Sequence, residues 1–202
     1  VLLIIAAYYT FTAGTESMIM IGSVGGLILA IVTIFKKEWA PYTVPFYAIL
    51  EGLALGSLSY IYDVQYDGIV LQAISITVLV LFSLLFAYRS KIIKPTENFK
   101  LGLFAATGGI FLLYLISFVM SFFGSGISLL SPNNSSMLSI GLSFGIVIIA
   151  ALNLVIDFDF IEEGSEKGAP KYMEWYGAFG LLVTLIWLYL ELLRLLAKMK
   201  NR

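Results

Sequence analysis

The chain has 202 residues, of which 60% are hydrophobic and 12% charged, and its formal net charge is −1. Its mean hydropathy is +0.96. A soluble domain of this length cannot bury so large an apolar fraction, so the composition predicts an integral membrane protein. We expect the lipid bilayer as its surroundings and no nucleic-acid partner.

Seven apolar segments follow one another along the chain. The first, Val1 to Phe11, is too short to span a bilayer, and because the chain begins without Met we expect upstream residues to complete this helix. The other six are about 20 residues long, enough for an α-helix to cross about 30 Å of hydrocarbon. They run from Ser17 to Phe35, Tyr42 to Tyr62, Gly68 to Tyr88, Leu101 to Phe123, Leu138 to Phe158 and Trp175 to Leu196. We therefore predict an all-α, seven-helix transmembrane bundle that forms a single domain over residues 1–202.

The connections leave little room for an enzyme. Ser131 to Ser136 is a turn-rich loop, and Asp159 to Glu174 is predicted to be a longer acidic loop interrupted by Gly and Pro. With no His and no Cys, the chain lacks the usual ligands of zinc and haem and any thiol nucleophile. It also lacks phosphate-binding loops and serine elbows. We predict no enzymatic activity and no cofactor; the remaining carboxylates suit protons and hard cations.

Basic residues are concentrated on one side of the predicted bundle. They occupy one set of loops: Lys36, Lys37, Arg89, Lys91, Lys94, Lys100, Lys167 and Lys171. The opposite loops, near Glu16, Asp63 and Asn133, contain none. Since Lys and Arg are retained in the cytoplasm, the basic loops are predicted to lie inside, and seven crossings put the C-terminus outside.

The basic tail conflicts with this orientation. It carries Arg194, Lys198, Lys200 and Arg202. Either the last segment does not cross completely or packing overrides the rule; we expect a full crossing because the segment is long enough.

Four pairs of small residues at four-residue spacing are predicted to face neighbouring helices, because they let helix backbones approach closely. They are Gly22 and Gly26, Gly52 and Gly56, Ala105 and Gly109, and Gly141 and Gly145.

Two carboxylates, Glu51 and Asp157, lie inside apolar segments, where an ionisable side chain usually has a function. Asn153 precedes Asp157 by one turn and shares its helix face. Asp159 projects about 200° away from Asp157, so it marks the water boundary or lies at a pore mouth with Glu162 and Glu163. Nearer the C-terminus, Glu191 and Arg194 are spaced for an ion pair within one helix.

Four stretches carry a resemblance to a known family. They are GLSFGIVIIAALNLVIDFDFIEEG from Gly141, EGLALGSLSYIYD from Glu51, ATGGIFLLYLISF from Ala106, and WLYLELLRLL from Trp187. Together they resemble the Bax inhibitor-1 (TMBIM) family, and especially its bacterial YccA-like members. The resemblance implies a seven-helix bundle with the last helix central, and a pH-dependent calcium leak in a bacterial inner membrane.

In that family an aspartate on each of the last two helices controls the leak. Asp157 matches the first aspartate, but alignment on Leu192 to Arg194 places Thr184 at the second. A basic residue at the end of the family's second helix latches the first aspartate, which makes Lys36 and Lys37 candidate latches here.

Glu51 lies about as deep as Thr184, roughly 14 Å from the cytoplasmic end of its helix, so it is a candidate for the missing carboxylate. Our hypothesis is that Asp157 and Glu51, with Thr184 or Asn153 as hydrogen-bonding neighbour, form a buried acid pair that senses pH and holds calcium transiently. The alternative is that each acid is hydrogen-bonded separately and serves packing.

The sequence thus leaves three functions to compare. The first is a pH-sensitive leak for calcium, with sodium or protons as other ions that suit the same carboxylates. The second is a non-conducting regulator that binds a membrane protease or another membrane partner through the termini and the acidic loop. The third, an intramembrane hydrolase built on Glu51 and Asp157, has no recognisable substrate pocket to support it.

Overall fold

The computed structural model describes residues 1–14, 17–124 and 126–202, and within these ranges the secondary structure is helical with no strand. Seven α-helices follow in chain order: α1 Leu2–Ala13, α2 Met18–Phe35, α3 Ala40–Gln65, α4 Ile69–Arg89, α5 Glu97–Ser121, α6 Met137–Glu166 and α7 Tyr172–Lys200. Short 3-10 helices, Lys37–Trp39 and Ser128–Leu130, lie in two connections. The predicted all-α fold is confirmed.

In the described part of the chain, α2 to α7 are long and apolar enough to cross a membrane, and α1 is a shorter apolar helix. The six full segments predicted from the sequence are thereby confirmed as helices. The largest difference at an N-terminus is in α5, which begins four residues before Leu101. Thr96 explains the early start, because its hydroxyl accepts a hydrogen bond from the Phe99 amide and caps the helix.

The predicted acidic loop from Asp159 to Glu174 is wrong over about two thirds of its length, because α6 and α7 both extend into it. Helix α6 continues to Glu166, so the connection to α7 is only five residues long. Gly164 lowers helix propensity by about 1 kcal/mol but does not end the helix. An ion pair one turn apart, between Glu163 and Lys167, supports the exposed extension.

Residues divide into two compact units, of which the first contains 1–70 and 160–183. In this unit α3 packs closely against α1 and α2 at Gly22, Gly52 and Gly56, which we call the glycine seam. On α2, a methyl group added at Gly22 would overlap the Leu50 carbonyl oxygen of α3. On the other side of α3, methyl groups at Gly52 and Gly56 would overlap carbonyl oxygens of α1. These two predicted small-residue pairs are confirmed as sites of close helix packing.

The second unit contains residues 71–159 and 184–202. Helix α7 is buried along much of its length there, with Leu188 and Leu193 fully inaccessible. The other two small-residue predictions are wrong within this chain: Gly109, Gly141 and Gly145 are exposed, and a methyl group on any of them would meet no atom within 4 Å in the described structure. Spacing alone cannot tell a helix-facing glycine from an outward-facing one.

The end of α7 contacts the connection between α5 and α6. Lys198 donates to the Leu129 carbonyl oxygen at 2.7 Å, and the Asn201 side chain donates to the Pro132 carbonyl oxygen at 3.3 Å. The expected full crossing of α7 agrees with these contacts, because its C-terminus lies on the same side as the loop near Asn133. The loop near Glu16 lies outside the described residues.

Candidate functional site

Asp157 lies in α6, inside a helix that is apolar enough to span a membrane. Its Oδ2 atom is buried and has no hydrogen-bond partner among the described residues. The Thr184 side chain of α7 lies close enough to interact with the Asp157 carboxyl group. A carboxylate in this position can take up a proton or contact a cation without first breaking a bond at Oδ2.

Thr184 and Asn153 were the two neighbours expected for Asp157, and the structure distinguishes them. Thr184 is buried, with 9% of its surface exposed, and faces the aspartate. The Asn153 amide instead donates to the Thr107 hydroxyl at 2.9 Å and to the Ile149 carbonyl oxygen at 2.8 Å. Asn153 therefore joins α6 to α5, and its part in a pH sensor stays a prediction, as does that of Thr184.

Glu51 lies in α3 against α2. A methyl group built on Gly26 would come within 2.5 Å of Glu51 Oε1, so the carboxylate occupies space that only a glycine leaves open. Glu51 belongs to the first unit and Asp157 to the second. The acid pair and the transient calcium contact stay predictions.

Asp159 has a basic partner that the sequence did not reveal. Lys100, from the first turn of α5, approaches Asp159 Oδ2 at 2.6 Å, and the Tyr88 hydroxyl lies 3.4 Å from Oδ1. The Asp159 side chain is 23% exposed. Such a half-buried ion pair is consistent with the predicted water boundary, and a role at an ion path stays a prediction.

The other acidic residues expected at a pore mouth, Glu162 and Glu163, are exposed on the extension of α6. Glu163 is paired with Lys167. Their proximity to an ion path stays a prediction.

The candidate latches interact with aromatic rings of their own unit. The Lys36 ammonium group lies 4.7 Å from the centre of the Trp39 ring, and that of Lys37 lies 5.0 Å from the centre of the Tyr176 ring. Both lysines are exposed. These cation–π contacts give each lysine a local partner, and the latch stays a prediction.

Glu191 is the most buried carboxylate described, with 2% of its surface exposed. The predicted pair with Arg194 is confirmed, with nitrogen–oxygen distances of 3.0 and 3.1 Å. Two donors extend it: the Tyr114 hydroxyl at 2.8 Å and the Trp187 indole at 3.2 Å from Oε1. Sequence reasoning missed Tyr114, which lies 77 residues away.

Lys198 was expected in a basic tail, yet it is fully buried. Its ammonium group donates to the Leu129 carbonyl oxygen, to Ser143 Oγ at 2.8 Å and to the Ser139 carbonyl oxygen at 3.4 Å. The only signal in the sequence is its spacing of seven from Glu191, which puts both on one face of α7.

The described ranges hold no group of three or more acidic side chains that could bind a metal ion. Any cation at Asp157 or Glu51 would need main-chain, hydroxyl or water oxygens as well.

Comparison with known proteins identifies a family. The family model described as Bax inhibitor 1 like matches residues 1–201. No curated protein and no solved structure matches the chain. The match covers the same stretches in which the sequence resembles the family, and the helical, membrane-spanning character agrees with it. The chain is an integral membrane protein that belongs to the Bax inhibitor-1-like family.

Proposed function

We propose that the protein is a cation leak, with calcium as the permeant ion, that opens and closes with the protonation of Asp157 in a bacterial inner membrane. One observation carries the proposal: Asp157 Oδ2 is buried within a membrane-spanning helix and has no hydrogen-bond partner in the part of the chain that is described. A carboxylate that is buried in a membrane-spanning helix is a functional group by default.

The contact between Asp157 and Thr184 supplies the two-state element. An ionised carboxylate only accepts hydrogen bonds, so Thr184 must then act as donor. A protonated Asp157 carries a hydrogen of its own and needs an acceptor. Protonation therefore changes which packing of α6 against α7 is favoured, and a modest change in such an equilibrium is enough to open a path.

Calcium is the proposed ion because it takes oxygen ligands, and the acids of the spans supply them. Glu51 of α3, which lies beside Gly26 of α2, is the second carboxylate proposed to serve the path. The residues act through charge and hydrogen bonding, and no covalent chemistry is required.

The purified protein in liposomes that contain a calcium-sensitive dye tests the proposal, with influx measured from about pH 6 to about pH 8. We expect pH-dependent influx for the wild type and a flux that no longer follows pH for Asp157→Asn. Asp67→Asn, an exposed carboxylate in the turn after α3, is the matched control and keeps the wild-type profile. An Asp157→Asn profile identical to that of the wild type would exclude Asp157 as the switch.

Glu51→Gln tests the acid pair in the same assay. We expect the pH profile to change when this carboxylate is removed, because two interacting acids titrate together. A profile that stays as in the wild type leaves Asp157 as a single switch and rules the pair out.

Folded protein that shows no influx under any condition would contradict the leak. It would favour a non-conducting regulator that binds a membrane protease or another membrane partner.

A further inference from the structure

Lys198 is the largest side chain that is completely buried in the described structure. A buried ammonium group is costly unless its three hydrogens are bonded. Here Ser143 Oγ, the Leu129 carbonyl oxygen and the Ser139 carbonyl oxygen accept all three, and none of these oxygens carries a charge.

The Leu129 carbonyl oxygen is also held in place without the lysine. The Ser139 hydroxyl also donates to the Leu129 carbonyl oxygen, at 2.8 Å. The Asn134 side chain holds the same 3-10 helix by donating to the Ser128 carbonyl oxygen at 3.1 Å. Ser139 and Ser143 lie one turn apart at the start of α6, both buried. We call Leu129, Ser139 and Ser143 the oxygen cage.

We propose that the oxygen cage is a binding site for a small monovalent cation and that the Lys198 ammonium group occupies it as a tethered ion. Neutral carbonyl and hydroxyl oxygens bind monovalent cations, as carbonyl rings do in potassium channels.

Three features oppose a divalent ion in the oxygen cage. The two short distances to Lys198 Nζ, 2.7 and 2.8 Å, exceed the roughly 2.3–2.6 Å that calcium requires. No carboxylate contributes an oxygen. The nearby charges, Glu191 and Arg194 on α7, already form an ion pair, so they add little net attraction for a second charge.

The tethered ion joins three elements of the second unit. Leu129 belongs to the connection before α6, Ser139 and Ser143 belong to α6, and Lys198 belongs to the last turn of α7. The proposal concerns how the last turn of α7 is held against the start of α6, and it does not depend on ion conduction.

Replacing the tethered ion by a free one is the direct test. In detergent, Lys198→Ala is expected to lower the thermal unfolding midpoint by several degrees, because it empties the oxygen cage but leaves its oxygens in place. Methylammonium chloride should then restore part of the loss. Tetramethylammonium chloride at the same concentration supplies the charge but no N–H donor, and we expect it to restore nothing.

Lys198→Met is the matched variant, since its side chain fills the channel left by the lysine stem and excludes a free ion. We expect it to be destabilised without rescue by methylammonium. The proposal is overturned if Lys198→Ala is as stable as the wild type, or if methylammonium and tetramethylammonium act equally on it.

A second variant keeps the lysine and covers the case in which Lys198→Ala does not fold. Ser143→Ala removes one oxygen of the cage, whereas Ser83→Ala removes an exposed serine on α4. The midpoint should fall for Ser143→Ala and not for Ser83→Ala. Equal midpoints would mean that the hydroxyl does not hold the ammonium group and would overturn the proposal.

Discussion

Thr184 places a hydroxyl group beside Asp157 at the position where the family resemblance puts a second aspartate. A threonine exchanges hydrogen bonds but does not take up a proton near neutral pH. The contact between Asp157 and Thr184 therefore holds one titratable group.

We predict that Thr184→Val, which keeps the shape and removes the hydroxyl, lowers the free energy of unfolding by about 1 kcal/mol. Thr184→Ser keeps the hydroxyl and should lose less. Unfolding in mixed micelles of rising denaturing-detergent fraction measures both. Combining Thr184→Val with Asp157→Asn should give a loss smaller than the sum, and strict additivity would show that the two side chains do not interact.

The buried Glu191 forms an ion pair with the partly exposed Arg194, and the loss of one member should differ from the loss of both. We predict that Arg194→Met costs about 3 kcal/mol, because it leaves the Glu191 charge short of a partner. The double variant Glu191→Leu with Arg194→Met should be less destabilised than Arg194→Met alone. The same micelle titration measures this difference, with the exposed Arg89→Met as control. A double variant that is the least stable would contradict the prediction.

The sequence reveals some of these residues and hides others for a physical reason. Asp157 and Glu51 stand out because a charge inside an apolar run is rare. The burial of Lys198 could not be predicted, because two of its three acceptors are main-chain carbonyl oxygens. Every residue carries such an oxygen, so the sequence gives no sign of the contact. The tyrosine that reaches Glu191 comes from α5, and no local pattern predicts such a contact.

At the scale of elements, the sequence predicts apolar helices well and their polar ends poorly. The spans were found because hydrocarbon thickness fixes their length. The last two turns of α6 were missed because a charged, glycine-containing run resembles a loop when hydropathy is the guide. Backbone hydrogen bonds and the Glu163 to Lys167 pair are sufficient to continue the helix there.

The glycine seam allows a prediction for α1 and α3. Gly56→Ala should lower the free energy of unfolding by about 1–3 kcal/mol, because the added methyl group would overlap the Ala7 carbonyl oxygen. Gly145→Ala on α6 is the matched control, since nothing lies within 4 Å of its added methyl group and alanine favours a helix. Equal destabilisation by the two substitutions would contradict the close approach of α1 and α3.

At the scale of the molecule, two of the four basic residues of the tail have partners within the protein, so the tail opposes the predicted orientation less than its sequence suggests, although Lys200 and Arg202 are exposed. Arg194 is paired with Glu191, and Lys198 is held by the oxygen cage. A charge that is bound inside the protein does not act as a free cytoplasmic anchor. The rule for basic loops therefore applies mainly to the loops that carry Lys36, Arg89 and Lys167.

Single cysteines test this orientation cleanly, since the chain has none of its own. We predict that a membrane-impermeant thiol reagent added to intact cells labels Asn133→Cys and Arg202→Cys but not Ser90→Cys. After the cells are opened, all three should react. Labelling of Ser90→Cys in intact cells, or protection of Arg202→Cys there, would reverse or break the predicted topology.

The glycine seam also sets an order of events during synthesis. Helices α1 and α2 leave the ribosome before α3, but both contact α3 through carbonyl oxygens and glycines that meet only when α3 is helical. At about 5–20 residues per second, the two earlier helices spend seconds in the bilayer before their common partner arrives. The contacts of the glycine seam therefore form only after α3 is complete, and α1, α2 and α3 assemble together at that point.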